Sequence, residues 1–292
     1  MKTLAIETFE LTKKYGNKIE AVKNLNLQVP TGSIYAFLGK NGAGKTTTIR
    51  MLLGFLRRTR GNITVVGFDP EKDSIAVRKK IGYVAENQRM YDWMTVNEII
   101  EFCRAFYPSW DFSLQKQLME RFELSGSMRL KDLSTGTYEK VALLLAVCHQ
   151  PELLILDDPT SGLDPVARRE FMQGIIEAFQ QREKTVFFST HIVNEIEQIA
   201  DWVGIIDKGV LIISQPLDKL KSLVKKIHIV FETDAPEINI PGIVWKEKNG
   251  REITLVLKDY SSEVLNIINQ FKPIGLEVIN LSLEEIFVSL VR

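Results

Sequence analysis

The most restrictive feature of the chain is an eight-residue glycine-rich segment, GKNGAGKT, at Gly39–Thr46. The apolar run Ser33–Leu38 before it predicts a strand, and Thr46–Leu53 after it predicts a helix. The segment fits the pattern G-x-x-x-x-G-K-[ST] in the context that the pattern requires. Its glycines let backbone N–H groups turn toward phosphate oxygens, and the helix presents its positive N-terminal end to them. We predict a phosphate-binding loop here; a glycine-rich turn that binds no ligand is the less favoured alternative.

Two side chains of this loop have specific predicted roles. Lys45 places a positive charge beside the β- and γ-phosphates of a nucleotide, and the Thr46 hydroxyl is a ligand for Mg²⁺. We therefore predict that the chain binds ATP and Mg²⁺. The residues predicted to contact the nucleotide are Gly39, Lys40, Asn41, Gly42, Ala43, Gly44, Lys45, Thr46 and Thr47.

A second element, which is acidic, completes such a site. The apolar run Leu153–Leu156 predicts a buried strand, and Asp157 and Asp158 follow it directly. A strand that ends in carboxylates delivers them to the edge of the sheet where ligands collect. We predict that Asp157 holds Mg²⁺ and that Asp158 takes a proton from the attacking water. Two acids that merely cap the next turn are the alternative, which the neighbouring phosphate loop makes less favoured.

Between residues 1 and 215, short β-rich runs alternate with helical stretches, which predicts an α/β domain around a largely parallel sheet. A capping box at Thr95 and Glu98 opens a predicted helix that ends near Tyr107. The other predicted elements are an apolar helix Val141–Val147, a helix Val166–Gln181 capped by Asp164 and a buried strand Val186–Ser189 with His191 just past its end.

From about residue 221 the pattern changes to short strands and short helices, which predicts a small α+β domain at 221–292. The predicted strands are Ile227–Glu232, Ile243–Glu247 and Glu252–Lys258, with a hairpin turn at Asn249–Gly250. The predicted helices are Ser261–Phe271 and Ser282–Val291, the second opened by a Ser282–Glu285 capping box.

Composition and charge exclude several classes of protein. Among the 292 residues, 37 Lys and Arg balance 37 Asp and Glu, so no nucleic-acid-binding surface is predicted. The longest apolar runs are far shorter than the roughly 20 residues of a membrane-spanning helix, and the N-terminus lacks the apolar core of a signal peptide. Cys103 and Cys148 fit neither a metal-ligand spacing nor a disulfide framework. We expect a globular protein that reaches a membrane only through a partner.

These motifs together resemble the ATP-binding cassette (ABC) ATPases, over about residues 3–215. Gly39–Thr46 and Leu153–Asp158 look like the two phosphate and metal motifs of that family. The remaining matches are Leu133–Thr137 at the position of the LSGGQ signature, Ser161–Asp164 as the loop that couples two sites, His191 as the switch histidine, Tyr15 as the adenine-stacking aromatic and Glu86 at the glutamine loop. Alone, Leu133–Thr137 is more simply the N-cap of a helix with a glycine, and its position before the Asp157 strand favours the signature. Alone, Tyr15 is more often an ordinary aromatic and His191 an ordinary loop histidine. The tail resembles that of the drug, peptide and ion exporter branch.

The resemblance implies a fold, a mechanism and partners. The fold is a P-loop NTPase core at 1–215, with a RecA-like subdomain, an antiparallel β subdomain and a helical subdomain at about 87–150. Two subunits, identical or different, enclose two Mg-ATP, and Ser134 and Gly136 grip the nucleotide of the partner. Asp158, His191, Glu86 and Lys45 are the implied catalytic residues, Thr46, Asp157 and Glu86 the metal ligands, and Asp164 and Tyr15 further nucleotide-binding residues. A separate transmembrane permease holds the subunits at the cytoplasmic face of the membrane.

The chain departs from the family pattern around the γ-phosphate. Asp158 replaces a glutamate, Thr135 and Thr137 replace a glycine and the glutamine of the signature, and Glu86 replaces a glutamine. Lys40 replaces a proline. Slow turnover, or a weakened site in a heterodimer, is the implied consequence. Two alternatives stay open at this point: an ABC-type ATPase not linked to transport, and a nucleotide-gated regulatory module with weak hydrolysis.

Overall fold

The computed structural model describes residues 3–16, 19–179 and 184–291. Contacts divide the chain into two compact units, Met1–His191 with Ile206–Leu211 and Ile192–Ile205 with Ile212–Arg292. Whether the functional domains divide at about residue 215 stays a prediction.

Up to residue 191, the elements in chain order are β1 (Leu4–Tyr15), β2 (Ile19–Leu25), β3 (Gln28–Pro30), β4 (Ile34–Leu38), α1 (Lys45–Leu52), β5 (Arg60–Val65), α2 (Ser74–Lys80), β6 (Ile81–Val84), α3 (Val96–Arg104), α4 (Phe112–Arg121), a short 3₁₀ turn Leu130–Asp132, α5 (Thr135–Val147), β7 (Leu153–Asp157), α6 (Pro165–Phe179) and β8 (Thr185–Thr190). After residue 191 the elements are α7 (Val193–Ile196), β9 (Trp202–Asp207), β10 (Val210–Pro216), α8 (Leu217–Leu223), β11 (Lys225–Val230), β12 (Ile243–Asn249), β13 (Glu252–Leu257), α9 (Ser262–Gln270), β14 (Gly275–Asn280) and α10 (Leu283–Leu290).

Strand β1 organises an antiparallel sheet in the first unit. It pairs with β2, β3 and β5, and register shifts along its length let it reach all three partners. The Thr8 hydroxyl is buried, donates to the Leu25 carbonyl at 2.8 Å and accepts from the Leu27 N–H at 2.9 Å. This polar side chain therefore satisfies backbone groups where the strands diverge.

The main sheet has, over the described residues, the strand order β10-β9-β4-β8-β7-β6. Its neighbours β4 and β8, β8 and β7, and β7 and β6 are parallel. All residues of β4, β7 and β8 are buried, which is why each contains an uninterrupted apolar run rather than an alternating pattern. The predicted α/β fold with a parallel core is confirmed. Because parallel strands end at one edge, the segments after β4, β7 and β8 meet there.

The helix-capping predictions are confirmed. Thr95 and Glu98 form a complete capping box at the start of α3. The Asp164 carboxylate accepts from the backbone N–H groups of Val166 and Ala167 at 2.9 and 3.0 Å, which caps α6. The predicted end of that helix at Gln181 lies outside the described residues.

Helix α5 begins at the N-cap that the sequence indicated and is longer than its apolar run. The apolar run predicted a helix over Val141–Val147, and α5 begins at Thr135 with Ser134 as its N-cap, within the segment Leu133–Thr137. The Ser134 hydroxyl accepts from the Thr137 N–H at 3.2 Å. The first helical turns are polar, so an apolar pattern alone could not reveal them.

The tail forms a four-stranded antiparallel sheet, within the described residues, in the order β12-β13-β11-β14. Ile227, Ile229, Ile253 and Leu255 pack in one core with Ile268 of α9. Its three predicted strands, two predicted helices and the capping box that opens α10 are confirmed.

Two details of the tail differ from the prediction. Asn249 pairs with Glu252, so the hairpin turn is centred on Gly250–Arg251, one residue later than predicted. Strand β14 was not predicted, because GLEVIN is half-buried along most of its length and shows no clear alternation.

Gly82 in β6 tests how closely α5 packs on the sheet. A Cβ added there would lie 2.1 Å from the backbone oxygen of Ala146. We expect Gly82→Ala to lower the free energy of unfolding by roughly 1–3 kcal/mol, as overpacking does. The matched control is Gly275→Ala in β14, where the nearest atom lies 3.6 Å away. Urea unfolding midpoints measure both changes, and an equal or larger loss for Gly275→Ala would contradict this account of the packing.

Candidate functional site

A cleft of about 320 Å³ opens at the carboxyl ends of β4 and β7, which flank β8 in the sheet. It brings together residues that are far apart in sequence. Its lining is Ala21, Asn41, Gly42, Gly44, Lys45, Thr46, Thr47, Glu86, Asp157 and Asp158. The glycine loop, the two strand-end carboxylates and Glu86 thus share one cavity.

The glycines of the loop are required by close backbone contacts. Gly44 has a φ of +109°, and a Cβ there would lie 2.6 Å from the carbonyl oxygen of Ala21. A Cβ on Gly39 would lie 2.7 Å from the carbonyl oxygen of Ile206. Side chains at these positions would displace the loop, so its curvature depends on glycine.

Lys45 lies buried at the start of α1, held by the loop that precedes it. Its Nζ donates to the carbonyl oxygen of Gly39 at 2.7 Å and to that of Lys40 at 3.3 Å. Burial lowers the pKa of Lys45, while the charges of Asp158, Asp157 and Glu86 raise it. A buried ammonium group faces the cleft and is supported by three carboxylates.

The Thr46 hydroxyl donates to the Asp157 carboxylate at 3.2 Å, and that of Ser189 at the end of β8 donates to the same oxygen at 2.8 Å. Burial raises the pKa of Asp157, and the hydrogen bonds from Ser189 and Thr46 lower it. Mg²⁺ prefers oxygen ligands, with one or two carboxylates beside substrate phosphates, so this hydroxyl–carboxylate pair fits it. The predicted ligands Thr46 and Asp157 are in contact, with Glu86 lining the same cleft.

Ser189 was not predicted as a site residue, because it was assigned to a buried strand as its last residue. Its side chain is fully buried. The available signal was a hydroxyl near the carboxyl end of an otherwise apolar strand, beside the strand that carries Asp157.

Asp158 and His191 contact each other directly. The Asp158 Oδ2 atom lies 2.5 Å from the His191 Nδ1 atom. The Asp158 N–H donates to the carbonyl oxygen of Ser189 at 3.0 Å, and the residue has a φ of +48°. Aspartate tolerates this left-handed conformation better than most residues. Two of the four predicted catalytic side chains, Asp158 and His191, therefore form one hydrogen-bonded pair.

Other predicted residues lie outside the lining of this cleft. Ser134 is exposed at the N-terminus of α5, and a Cβ added to Gly136 would lie 2.9 Å from the Ala167 Cβ. The Asp164 carboxylate caps α6, and its hydrogen bonds from Ala167 and Val166 lower its pKa. Tyr15 is 44% exposed, and the Lys13 Nζ lies 5.2 Å from its ring centroid.

Glu139 on α5 is an unpredicted buried carboxyl group, five residues after Ser134. Its Oε2 atom has no hydrogen-bond partner among the described residues. Burial raises its pKa from the ordinary value of 4.5 to about 7. The helix that presents Ser134 therefore carries a group whose charge is poorly solvated.

These features define a P-loop nucleoside triphosphatase: a glycine loop with a buried lysine, a threonine–aspartate pair and a strand-end carboxylate, all on a parallel sheet. Comparison with known proteins identifies the family. The sequence model of the family described as ABC transporter matches residues 22–161. The chain belongs to this family, as an ATP-binding subunit and ATPase. The predicted family and fold class are thereby confirmed.

The relatives agree with this assignment. The bacitracin transport ATP-binding protein BcrA of Bacillus licheniformis is 38% identical over 223 residues, which cover 76% of this chain and 72% of the relative. The ABC transporter ATP-binding protein YtrB of Bacillus subtilis is 28% identical, over 97% of both chains. A solved structure of an ATP-binding subunit of an ABC transporter is 26% identical with a TM-score of 0.67, covering 75% of this chain and 92% of that one. An ATPase not linked to transport is not favoured.

No helix in the described part of the chain is both long and apolar enough to cross a membrane.

Protonation of Glu139 should make stability depend on pH. Its folded-state pKa is raised, so between about pH 4.5 and about pH 7 the folded protein keeps a proton that the unfolded chain releases. The free energy of unfolding therefore falls as pH rises through this window. We expect Glu139→Gln to melt at a higher temperature than the parent at pH ~8, and the difference to shrink toward pH ~5.

Glu7→Gln, at an exposed position of β1, is the matched control and should leave the pH profile of the parent unchanged. Thermal melts of the three proteins across this pH range measure the effect. A difference between Glu139→Gln and the parent that does not vary with pH would contradict it.

Proposed function

We propose that the chain is the ATP-binding and ATP-hydrolysing subunit of an exporter, and that it dimerises around two Mg-ATP to drive a separate transmembrane partner. The observation that carries this proposal is the cleft in which Lys45, the Thr46–Asp157 pair and Asp158 converge. In this proposal, residues 1–215 are the ATPase domain and residues 221–292 an accessory domain.

The residues of the cleft divide the work of binding and hydrolysis. Backbone N–H groups of the loop and the Lys45 ammonium group bind the β- and γ-phosphates. Thr46 and Asp157 would hold Mg²⁺, which neutralises charge that develops on the phosphates. Tyr15 stacks on adenine, and its exposed ring is compatible with that role.

Asp158 is the proposed general base. It accepts a proton from the attacking water, and its hydrogen bond with His191 fixes the position of the carboxylate. Glu86, on the lining of the same cleft, positions the water or a metal-bound ligand. The three groups act from one cavity, so their effects on turnover are not independent.

The second subunit completes each site. Ser134 and Gly136 lie at the N-terminus of α5, outside the lining of their own cleft. An exposed helix N-terminus is suited to binding an anion, and here that anion is the γ-phosphate held by the partner subunit. Asp164 contributes from the neighbouring loop. Both an identical and a related second subunit satisfy this arrangement.

The transmembrane partner and the direction of transport are inferred from the relatives. BcrA, at 38% identity, is named for bacitracin transport, which supports export of a drug or peptide. The subunit would act at the cytoplasmic face of the membrane as a peripheral protein. The balanced charge of the chain supports a protein partner and no nucleic acid.

Lys45→Ala tests the phosphate-binding role. Removal of the ammonium group deletes a charge-assisted contact, so we expect ATP affinity to fall about 10- to 100-fold. Lys116→Ala is the matched control, because the Lys116 side chain is exposed on α4 and lies outside the lining of the cleft. Calorimetric titration with Mg-ATP measures both variants. Equal affinity in a folded Lys45→Ala protein would refute the assignment of the loop.

Asp158→Asn tests the catalytic base and the dimer together. An amide cannot accept the proton, so hydrolysis should slow by about 100-fold or more while ATP binding persists. The stalled variant should dimerise with Mg-ATP and dissociate with ADP in analytical ultracentrifugation. Asp158→Glu, which restores the glutamate of the family pattern, should raise turnover. If Asp158→Asn hydrolyses ATP at the parental rate, Asp158 is not the base.

A further inference from the structure

The segment 85–90, which contains Glu86, is held by two hydrogen bonds that involve no other residue of the cleft lining. The Ala85 N–H donates to the Gln88 side-chain oxygen at 3.1 Å, which closes a tight turn around Glu86. The Met90 N–H then donates to the hydroxyl oxygen of Tyr138. Tyr138 belongs to α5, so a side chain of that helix is hydrogen-bonded to the loop that carries Glu86.

The residues after Met90 are also bonded to the segment that leads into α5. The Lys131 N–H donates to the Asp92 carbonyl at 3.2 Å, and the Leu130 N–H donates to the Met94 carbonyl at 3.0 Å. These bonds lie before Ser134, whereas the Tyr138 bond lies after it. The Glu86 loop is therefore fastened to the chain on both sides of Ser134.

Tyr138 is itself a rigid part of the helix that presents Ser134. Its N–H donates to the Ser134 carbonyl at 2.9 Å, in the first turn of α5. Its ring is partly buried, and burial raises the pKa of its hydroxyl. The neutral Tyr138 hydroxyl, on the first turn of α5, can accept a hydrogen bond from the Met90 N–H.

We propose that Tyr138 is a positioning residue that couples the two nucleotide sites of the dimer. A shift of Glu86, caused by nucleotide in its own cleft, passes through Met90 and the Tyr138 hydroxyl to α5. That helix carries Ser134 and Gly136 toward the nucleotide of the partner subunit. Occupancy of one cleft thereby sets the geometry that completes the other. This inference rests on the proposed sandwich dimer.

Tyr138→Phe isolates the hydroxyl, because it removes the acceptor and keeps the ring. We would introduce it into the full chain carrying Asp158→Asn. ATP affinity of the monomer should stay within about twofold of the parent, since Tyr138 is not on the lining of the cleft. The ATP concentration needed for half-maximal dimerisation should rise about 3- to 10-fold, the effect of one neutral hydrogen bond. Amide exchange at Met90 should accelerate.

Tyr91→Phe is the matched control, because Tyr91 lies in the same segment with a half-exposed ring packed on Phe102. It should change neither quantity. Unchanged dimerisation in Tyr138→Phe would overturn the coupling role, and an equal loss of monomer affinity would show that Tyr138 only supports the cleft. If Asp158→Asn alone binds ATP but does not dimerise, the sandwich dimer fails, and the coupling role fails with it.

Discussion

The buried charge of Lys45 is the constraint on which the site depends. Burial disfavours the ammonium group and lowers the pKa of Lys45, and the charges of Asp158, Asp157 and Glu86 partly offset that effect. This balance is possible only because buried strands end at one edge of the sheet and deliver their carboxylates beside the loop after β4. The apolar strands thus contribute to the chemistry indirectly, by fixing where charge can be concentrated.

The Asp158–His191 pair gives the departure from the family pattern a physical meaning. Asp158 occupies a left-handed conformation that aspartate tolerates better than most side chains, and its short arm reaches the His191 ring at 2.5 Å. A longer carboxylate would have to displace that contact or pass beside it. The substitution therefore exchanges reach toward the nucleotide for a fixed position on the strand edge. Strain and fixed geometry of this kind are common at functional sites.

Local rules explain what the sequence could predict. Continuous apolar runs identified β4, β7 and β8, and capping patterns located the starts of α3 and α10. The phosphate loop was predictable because its glycines, lysine and threonine are adjacent in sequence. Features were missed where the deciding partner is remote or the pattern is weak. Strand β14 shows no clear alternation, and the role of Ser189 depends on a strand that is distant in sequence.

Helix α5 shows why the remaining function cannot be assigned to single motifs. A Cβ added to Gly136 would lie 2.9 Å from the Ala167 Cβ, and the Tyr138 hydroxyl accepts from the Met90 N–H in the segment that carries Glu86. Glu139, between these contacts and the apolar half of the helix, is buried without a partner for one oxygen among the described residues. These contacts involve residues outside the helix, so its exposed N-terminus is placed by tertiary packing as well as by its own serine cap. A signature that deviates from the family pattern can therefore keep its position, because the neighbours of the helix determine that position.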